Sequence, residues 1–259
     1  MRAAQRREEI LHLAKSGGPT SVDDLAVFFD VTASTIRRDL ARLSAEGQLA
    51  RTYGGAMAVH PREQPLDERA QESHAAKVAI GKWAATAVQE EDSVLLDAGT
   101  TTAELARALR SHRRLTVATT GLTPLAAISG VEGIEVICLG GQLREMSQGF
   151  VGPLTEAALE TMTFDVVFLG ADGVTPERGI CEASLVQTRL KELMWRSSTR
   201  TYVLADSGKL GQEPFHAWVR MPRRWTLVTD DGASDAQVGA FARRGVEVVV
   251  VGPAGDQVN

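Results

Sequence analysis

Thr32-Ala33-Ser34-Thr35-Ile36-Arg37-Arg38-Asp39-Leu40 is the stretch on which the fold of this chain turns. At about 100° per residue Ile36, Leu40 and Leu43 share one face of a helix, while Ser34 and Arg38 point the other way with Thr35, Arg37 and Arg42 flanking them. One face is fit for burial. The other carries hydroxyls and guanidinium groups, the donors that meet phosphates and base edges in a DNA groove. Thr32 is placed to accept from the backbone N–H groups of the first turn.

Upstream, Ser21-Val22-Asp23-Asp24-Leu25-Ala26-Val27-Phe28-Phe29 predicts a second capped helix with Val22, Leu25, Ala26 and Phe29 apolar, and only Asp30-Val31 separates the two. That is the helix-turn-helix arrangement, in which the second helix enters the major groove. Another helix is expected over 6–15, and residues 49–59 read as a two-stranded hairpin turned by Gly54-Gly55. Three helices and a wing predict a winged helix-turn-helix DNA-binding domain over residues 1–60, with Ser34, Thr35, Arg37, Arg38 and Arg42 on the reading helix and Arg51 and Tyr53 on the wing.

The chain has 259 residues, room for such a module and one larger α/β domain. Its net charge of −5 is unevenly spread: residues 1–60 carry eight Lys/Arg against seven Asp/Glu, and the rest twenty against twenty-six. Basic character is therefore local to the reading helix, and the acidic remainder is repelled by DNA. The sequence has no apolar leader and no run of 18 apolar residues, so a cytoplasmic protein without a membrane span is expected. Cys138 lies in an apolar run and Cys181 in an expected loop, with no partner at metal-ligand spacing; reduced thiols, no metal and no cofactor are expected.

His60-Pro61-Arg62-Glu63-Gln64-Pro65 is polar and twice interrupted by proline, which marks a linker over 61–65 ahead of a second domain over 66–259. A long helix is expected over 66–88. Beyond it, β-rich runs at 93–97, 115–119, 134–139, 165–170, 200–205, 225–229 and 246–251 alternate with helix-length segments, the pattern of a mostly parallel sheet covered on both faces. Ligands bind such sheets at the carboxyl ends of the strands. There the chain places Asp97-Ala98-Gly99-Thr100-Thr101-Thr102, then Thr119-Thr120-Gly121, Gly140-Gly141 with Arg144, and Gly170-Ala171-Asp172-Gly173. Three hydroxyls and the N–H groups of a helix start make the first of these an anion site, and Lys191 and Lys209 are placed to complete it.

Ser21 to Asp24, Thr35-Ile36-Arg37-Arg38-Asp39-Leu40, Gly47, Leu49, Arg51 and Gly54-Gly55-Ala56 resemble the signature of DeoR-type bacterial transcriptional regulators, with Tyr53 where that family has His. The strand-end segments, in their order and spacing, resemble the effector-sensing domain of the same family, whose fold is shared with ribose-5-phosphate isomerase and coenzyme A transferases. What the resemblance implies is a repressor of a carbohydrate-metabolism operon, acting on double-stranded operator DNA as a homo-oligomer, dimer or tetramer, and relieved by a phosphorylated sugar or sugar alcohol. It further implies that Asp97, Gly99, Thr100 and Thr101 bind the phosphate or polyol, with Thr102, Thr120, Gly140, Gly141, Arg144, Asp172, Lys191 and Lys209 around them. Thr120 stands where the family has Asn, Gly208 where it has Ser, and Cys181-Glu182-Ala183 where Thr-rich sequence is usual.

The shared fold raises an alternative, an isomerase-like enzyme fused to a DNA-binding module. Such an enzyme needs a general base beside the sugar carbons. Its carboxylate follows Gly-Ala-Asp directly, whereas here Gly173 follows Asp172, and Glu177 and Glu182 stand outside that frame. A regulator without catalysis is the expectation.

Overall fold

A computed structural model describes residues 3–15, 21–45, 49–52, 55–58 and 63–258. The chain divides into two compact units, Met1–Arg62 and Glu63–Asn259.

In the first unit, helices α1 (Ala3–Lys15), α2 (Val22–Phe28) and α3 (Ala33–Ala45) precede an antiparallel hairpin of β1 (Leu49–Thr52) and β2 (Gly55–Ala58), in which Thr52 faces Gly55. Ile10, Leu25, Phe29, Ile36, Leu40 and Leu43 form its buried core. Both caps expected from sequence are made: Ser21 Oγ accepts from the Asp24 amide at 3.0 Å, and Thr32 Oγ1 from the Thr35 amide at 3.3 Å. Between the helices Asp30 turns the chain with φ 50°, a left-handed conformation that Asp tolerates.

The second unit opens with α4 (Leu66–Gln71) and α5 (His74–Thr86) in place of the single helix expected over 66–88. The break is at Ser73, whose φ of 48° is left-handed. Its cause is visible beside it: the buried ammonium of Lys77 takes the Arg69 carbonyl that a continuous helix would give to the residue 73 amide.

There follow β3 (Ser93–Leu96), α6 (Thr100–Ala108), β4 (Leu115–Thr119), α7 (Leu122–Ile128), β5 (Ile134–Cys138), the hairpin β6 (Gln142–Arg144) and β7 (Gly149–Val151), and α8 (Pro153–Glu160). Next come β8 (Phe164–Leu169), β9 (Gly173–Thr175), β10 (Gly179–Glu182), α9 (Leu185–Arg196), β11 (Ser198–Leu204), β12 (Ala217–Val219), β13 (Thr226–Asp230), α10 (Asp235–Ala242), β14 (Glu247–Val251) and β15 (Gln257–Val258). Cys181 lies in β10, opposite Gly173 and Trp218, and not in a loop, because β9 and β12 pair with that strand on either side. Both thiols are free.

Among the described residues the main sheet runs β15-β14-β13-β11-β8-β3-β4-β5, parallel except for β15. Alternate residues of its central strands enter opposite cores. Leu95, Val167 and Leu169 pack on one face, and Val94, Leu96, Val166 and Phe168 on the other, which is why these strands are apolar at consecutive positions. From β3 the chain moves outward through β4 and β5, then returns to place β8 on the other side of β3. The order of winding therefore reverses between β3 and β8, and the loops leaving those two strands diverge around a crevice. No described helix is long and apolar enough to cross a membrane.

Candidate functional site

In the first unit α3 keeps Ile36, Leu40 and Leu43 in the core and leaves Ser34, Arg37, Arg38 and Arg42 exposed, with Thr35 half-buried. Asp39 is the residue of this helix that sequence pattern left unassigned. Its carboxylate is buried and accepts from Arg6 Nε at 2.7 Å, with Arg7 3.6 Å away, so it ties α1 to α3. The acid next to the Arg pair thus spends its charge inside, and Arg37 and Arg38 make no ion pair with any described residue. Ser34 and Thr35 hydroxyls meet Thr32 Oγ1 at 2.8 and 2.9 Å. The Arg51 side chain and Tyr53 lie outside the described residues.

In the second unit the crevice between β3 and β8 holds a polar pocket. Of the residues expected there, Gly99, Thr100, Thr101, Asp172, Lys191 and Lys209 line it. The first three belong to the β3 loop and the start of α6, whose first-turn N–H groups have no intrahelical acceptor, an arrangement suited to an anion. Asp97 lies beneath them, 2% exposed: Oδ1 accepts from the Ala98 amide at 2.8 Å, and Oδ2 from the Gly170 amide at 3.0 Å and Lys191 at 2.9 Å. It bridges the β3 and β8 loops. Lys191, equally buried, also bonds Glu182 and donates to the Gly170 carbonyl at 2.8 Å, so its three protons are used within the protein.

Burial pushes the Glu182 carboxyl up to about 8; Lys191 opposes that shift, and Asp172 and Asp97 add to it. Burial works against the Lys191 ammonium, but Asp97 and Glu182 outweigh it and hold its pKa above the ordinary value. Lys209 donates to the Ala171 carbonyl at 2.7 Å and stands 3.9 Å from Asp206, with part of its side chain exposed.

Other expected residues are placed elsewhere. Thr102 is buried, its hydroxyl donating to the Asp97 and Gly99 carbonyls at 2.8 and 3.1 Å. Thr120 is buried outside the pocket lining, with no partner for its hydroxyl among the described residues. Gly140 and Gly141 pack under α8: Thr155 Oγ1 donates to the Gly140 carbonyl at 3.0 Å, and a Cβ on Gly141 would come within 2.2 Å of that oxygen. Gly141 is needed for that close packing, whereas a Cβ on Gly140 would meet nothing within 4 Å, and neither lines the pocket. Arg144 is turned away by Glu63, whose carboxylate takes both terminal nitrogens, one at 2.6 Å; this pairing raises the Arg144 pKa.

Sequence reasoning missed five lining residues: Glu63, Arg69, Ser147, Glu182 and Gln187. Arg69 reaches Asp172 Oδ1 at 3.2 Å and the Met146 carbonyl at 3.0 Å. The alternation of Gln187 and Lys191, four apart on α9, was the signal available for one of them.

Residues 6–62 match the DeoR-like helix-turn-helix domain, and residues 72–231 the DeoR C terminal sensor domain. The chain belongs to the DeoR family. Among its DeoR relatives is the putative aga operon transcriptional repressor of Escherichia coli O157:H7, 33% identical over 253 residues, 96% of this chain and 94% of that one. YulB, an HTH-type transcriptional regulator of Bacillus subtilis, is 34% identical over 97% of this chain and 98% of its own. The lactose phosphotransferase system repressor of Lactococcus lactis is 28% identical over 94% of this chain and 97% of its own. Among solved structures, ribose 5-phosphate isomerase A from Neisseria gonorrhoeae superposes over 51% of this chain and 52% of its own, with TM-score 0.39 and 17% identity.

Proposed function

We propose that this DeoR-family chain is a cytoplasmic repressor of a carbohydrate-metabolism operon, relieved when a phosphorylated sugar or sugar alcohol binds the crevice between β3 and β8. Residues 1–60 would hold operator DNA through Ser34, Thr35, Arg37, Arg38 and Arg42, with Arg51 and Tyr53 on the wing. Residues 66–259 would sense the effector and pair the chain into a homo-oligomer, as symmetric half-sites require. The observation that carries this reading is the α6 N-terminus opening, with Lys209 beside it, into a polar crevice at the point where the winding reverses. Two relatives support the class of operon, being named for the aga operon and for a lactose phosphotransferase system.

Nothing catalytic is needed for this role, and the buried acid Glu182 serves as a partner of Lys191. The test uses the intact chain. Thermal shifts are measured with phosphorylated sugars and their unphosphorylated counterparts, and binding to the DNA upstream of its own gene is followed by fluorescence anisotropy. A phosphorylated sugar that raises Tm and weakens DNA binding, with the reverse effect of equal factor, is the expected result. Turnover of that sugar, or binding of unphosphorylated metabolites alone, overturns the reading.

A further inference from the structure

Residues 63–71 fall between the two family domains, which cover 6–62 and 72–231, yet Glu63 and Arg69 line the pocket. The cavity there is about 20 Å³, room for about one water, whereas small-molecule sites typically offer about 300–1,000 Å³. A wall has to move before a sugar phosphate enters. The floor is buried, with Asp97, Thr101, Glu182 and Lys191 all at most 3% exposed. Helix α4 is held differently. It buries Leu66, and otherwise rests on polar contacts: Arg69 to Asp172 and Met146, Lys77 to the Arg69 carbonyl, and, just ahead of the helix, Glu63 to Arg144. Contacts of this kind are the ones an ionic ligand can exchange.

Two side-chain atoms of residues that line this space have no partner among the described residues. Arg69 Nε is a buried donor, and Oε1 of Gln187, a residue 6% exposed, is a buried acceptor. Buried polar groups are rarely left so. An anionic oxygen satisfies the first and a hydroxyl the second, and a phosphorylated polyol carries both.

We propose that Glu63 and α4 form the displaceable wall of this pocket, and that Arg69 exchanges Asp172 for the phosphate of the effector while Gln187 accepts from one of its hydroxyls. The inference rests on the sugar-phosphate reading above and deepens it. A phosphate carries about −1.5 to −2 charge at pH 7 and three acceptor oxygens, so it competes with the single Asp172 contact for the guanidinium. Because Glu63 and α4 are the first residues of the second unit, their displacement pulls on the chain that leads to the DNA-binding unit. Occupancy of the pocket is thereby felt in the connection between the domains.

The experiment uses the intact chain with inorganic phosphate, glycerol 3-phosphate, ribose 5-phosphate, fructose 6-phosphate and glucose 6-phosphate as probes. Kd is measured by calorimetry for wild type, Arg69→Met, Asp172→Asn and the double variant. The probe that wild type binds best should bind Arg69→Met about tenfold or more weakly. Asp172→Asn should bind it several-fold more tightly, and that gain should vanish in the double variant, a coupling that simple loss of stability does not produce. Hydrogen exchange of wild type reads the wall directly and does not depend on any variant folding: amides 66–71 should exchange faster with the probe bound. Wild-type affinity in Arg69→Met, or unchanged protection of 66–71 on binding, overturns the proposal and leaves the sugar-phosphate reading standing. Failure of every probe to bind wild type overturns both.

Discussion

Replacing Lys191 with Met removes the cation at the centre of the pocket floor and keeps a side chain of similar length. The ammonium is 3% exposed, 2.9 Å from Asp97 Oδ2, bonded to Glu182, and 2.8 Å from the Gly170 carbonyl. In the variant Asp97 keeps the amides of Ala98 and Gly170, but Glu182 loses the cation bonded to it, and two carboxyl groups are left buried together. Removing one partner of a buried ion pair costs about 3–5 kcal/mol, where an exposed pair costs about 0–1. At about 2–4 °C per kcal/mol for a unit of this size, the thermal transition of the second unit should fall by roughly 6–20 °C, measured by calorimetry of the full chain at pH 7. The pH dependence separates charge from packing. Without Lys191 the upward push of burial on the Glu182 carboxyl is no longer opposed by that cation, so the folded variant holds a proton there that unfolding releases. Its stability is then greatest at low pH and is lost as pH rises, and the deficit against wild type should widen from pH 5.5 to pH 8.5. Adding Asp97→Asn and Glu182→Gln should recover part of the loss. A loss below about 1 kcal/mol, or a larger one that does not change with pH, refutes the view that Lys191 holds the β3 and β8 loops together by charge.

Arg37→Ala and Arg38→Ala should each weaken operator binding by about 1–3 kcal/mol where the side chain meets a base, and less, with a reduced salt slope, where it meets phosphate; unfolding of the first unit should not change, since both side chains are exposed. Gly81→Ala places a Cβ 2.7 Å from the backbone of Glu104 and Leu105, so α5 and α6 must part, and a cost of roughly 1–3 kcal/mol should appear as a lower urea midpoint. Glu182, raised to about 8 from 4.5, adds stability that is full below pH 4.5 and is lost as pH rises through 8. Lys77, lowered by burial to about 8 from 10.5, adds stability present above pH 10.5 and lost as pH falls through 8. Stability profiles should therefore lose their decline below pH 8 in Glu182→Gln, and their rise above pH 8 in Lys77→Met; an unaltered profile counts against the assignment.

The elements that sequence made legible are those whose signal is local and periodic. All seven strands expected in the second domain are strands, at 93–96, 115–119, 134–138, 164–169, 198–204, 226–230 and 247–251, because burial on both faces demands apolar residues at consecutive positions. The helix-turn-helix was legible from the 3.6-residue stripe and two hydroxyl caps. The break before α5 was not, since its cause is the Lys77 ammonium on the Arg69 carbonyl, a contact eight residues apart that no propensity encodes. Nor were the short strands β9, β10 and β12, three or four residues each, whose pairing joins residues as far apart as Ile180 and Val219.

For the pocket, composition pointed to the strand-end loops, but pairing decided which side chains face a ligand. Arg144 and Lys191 were expected to serve the effector because they are cations near Gly-rich strand ends. Folded, each already has a carboxylate: Glu63 for Arg144, and Asp97 with Glu182 for Lys191. Those partners lie 81, 94 and 9 residues away, so a count of cations along the chain overstates the charge offered to a ligand. Arg69 shows the converse. It lay in a stretch read only as the start of a long helix, yet it reaches 103 residues forward to Asp172 and keeps one buried donor unpaired among the described residues. In a crevice whose cations are already matched by acids, an anion enters by exchange of partners rather than by filling an open charge. The side chains whose native partner is weakly held, by one 3.2 Å contact in the case of Arg69, are the ones that exchange sets in motion.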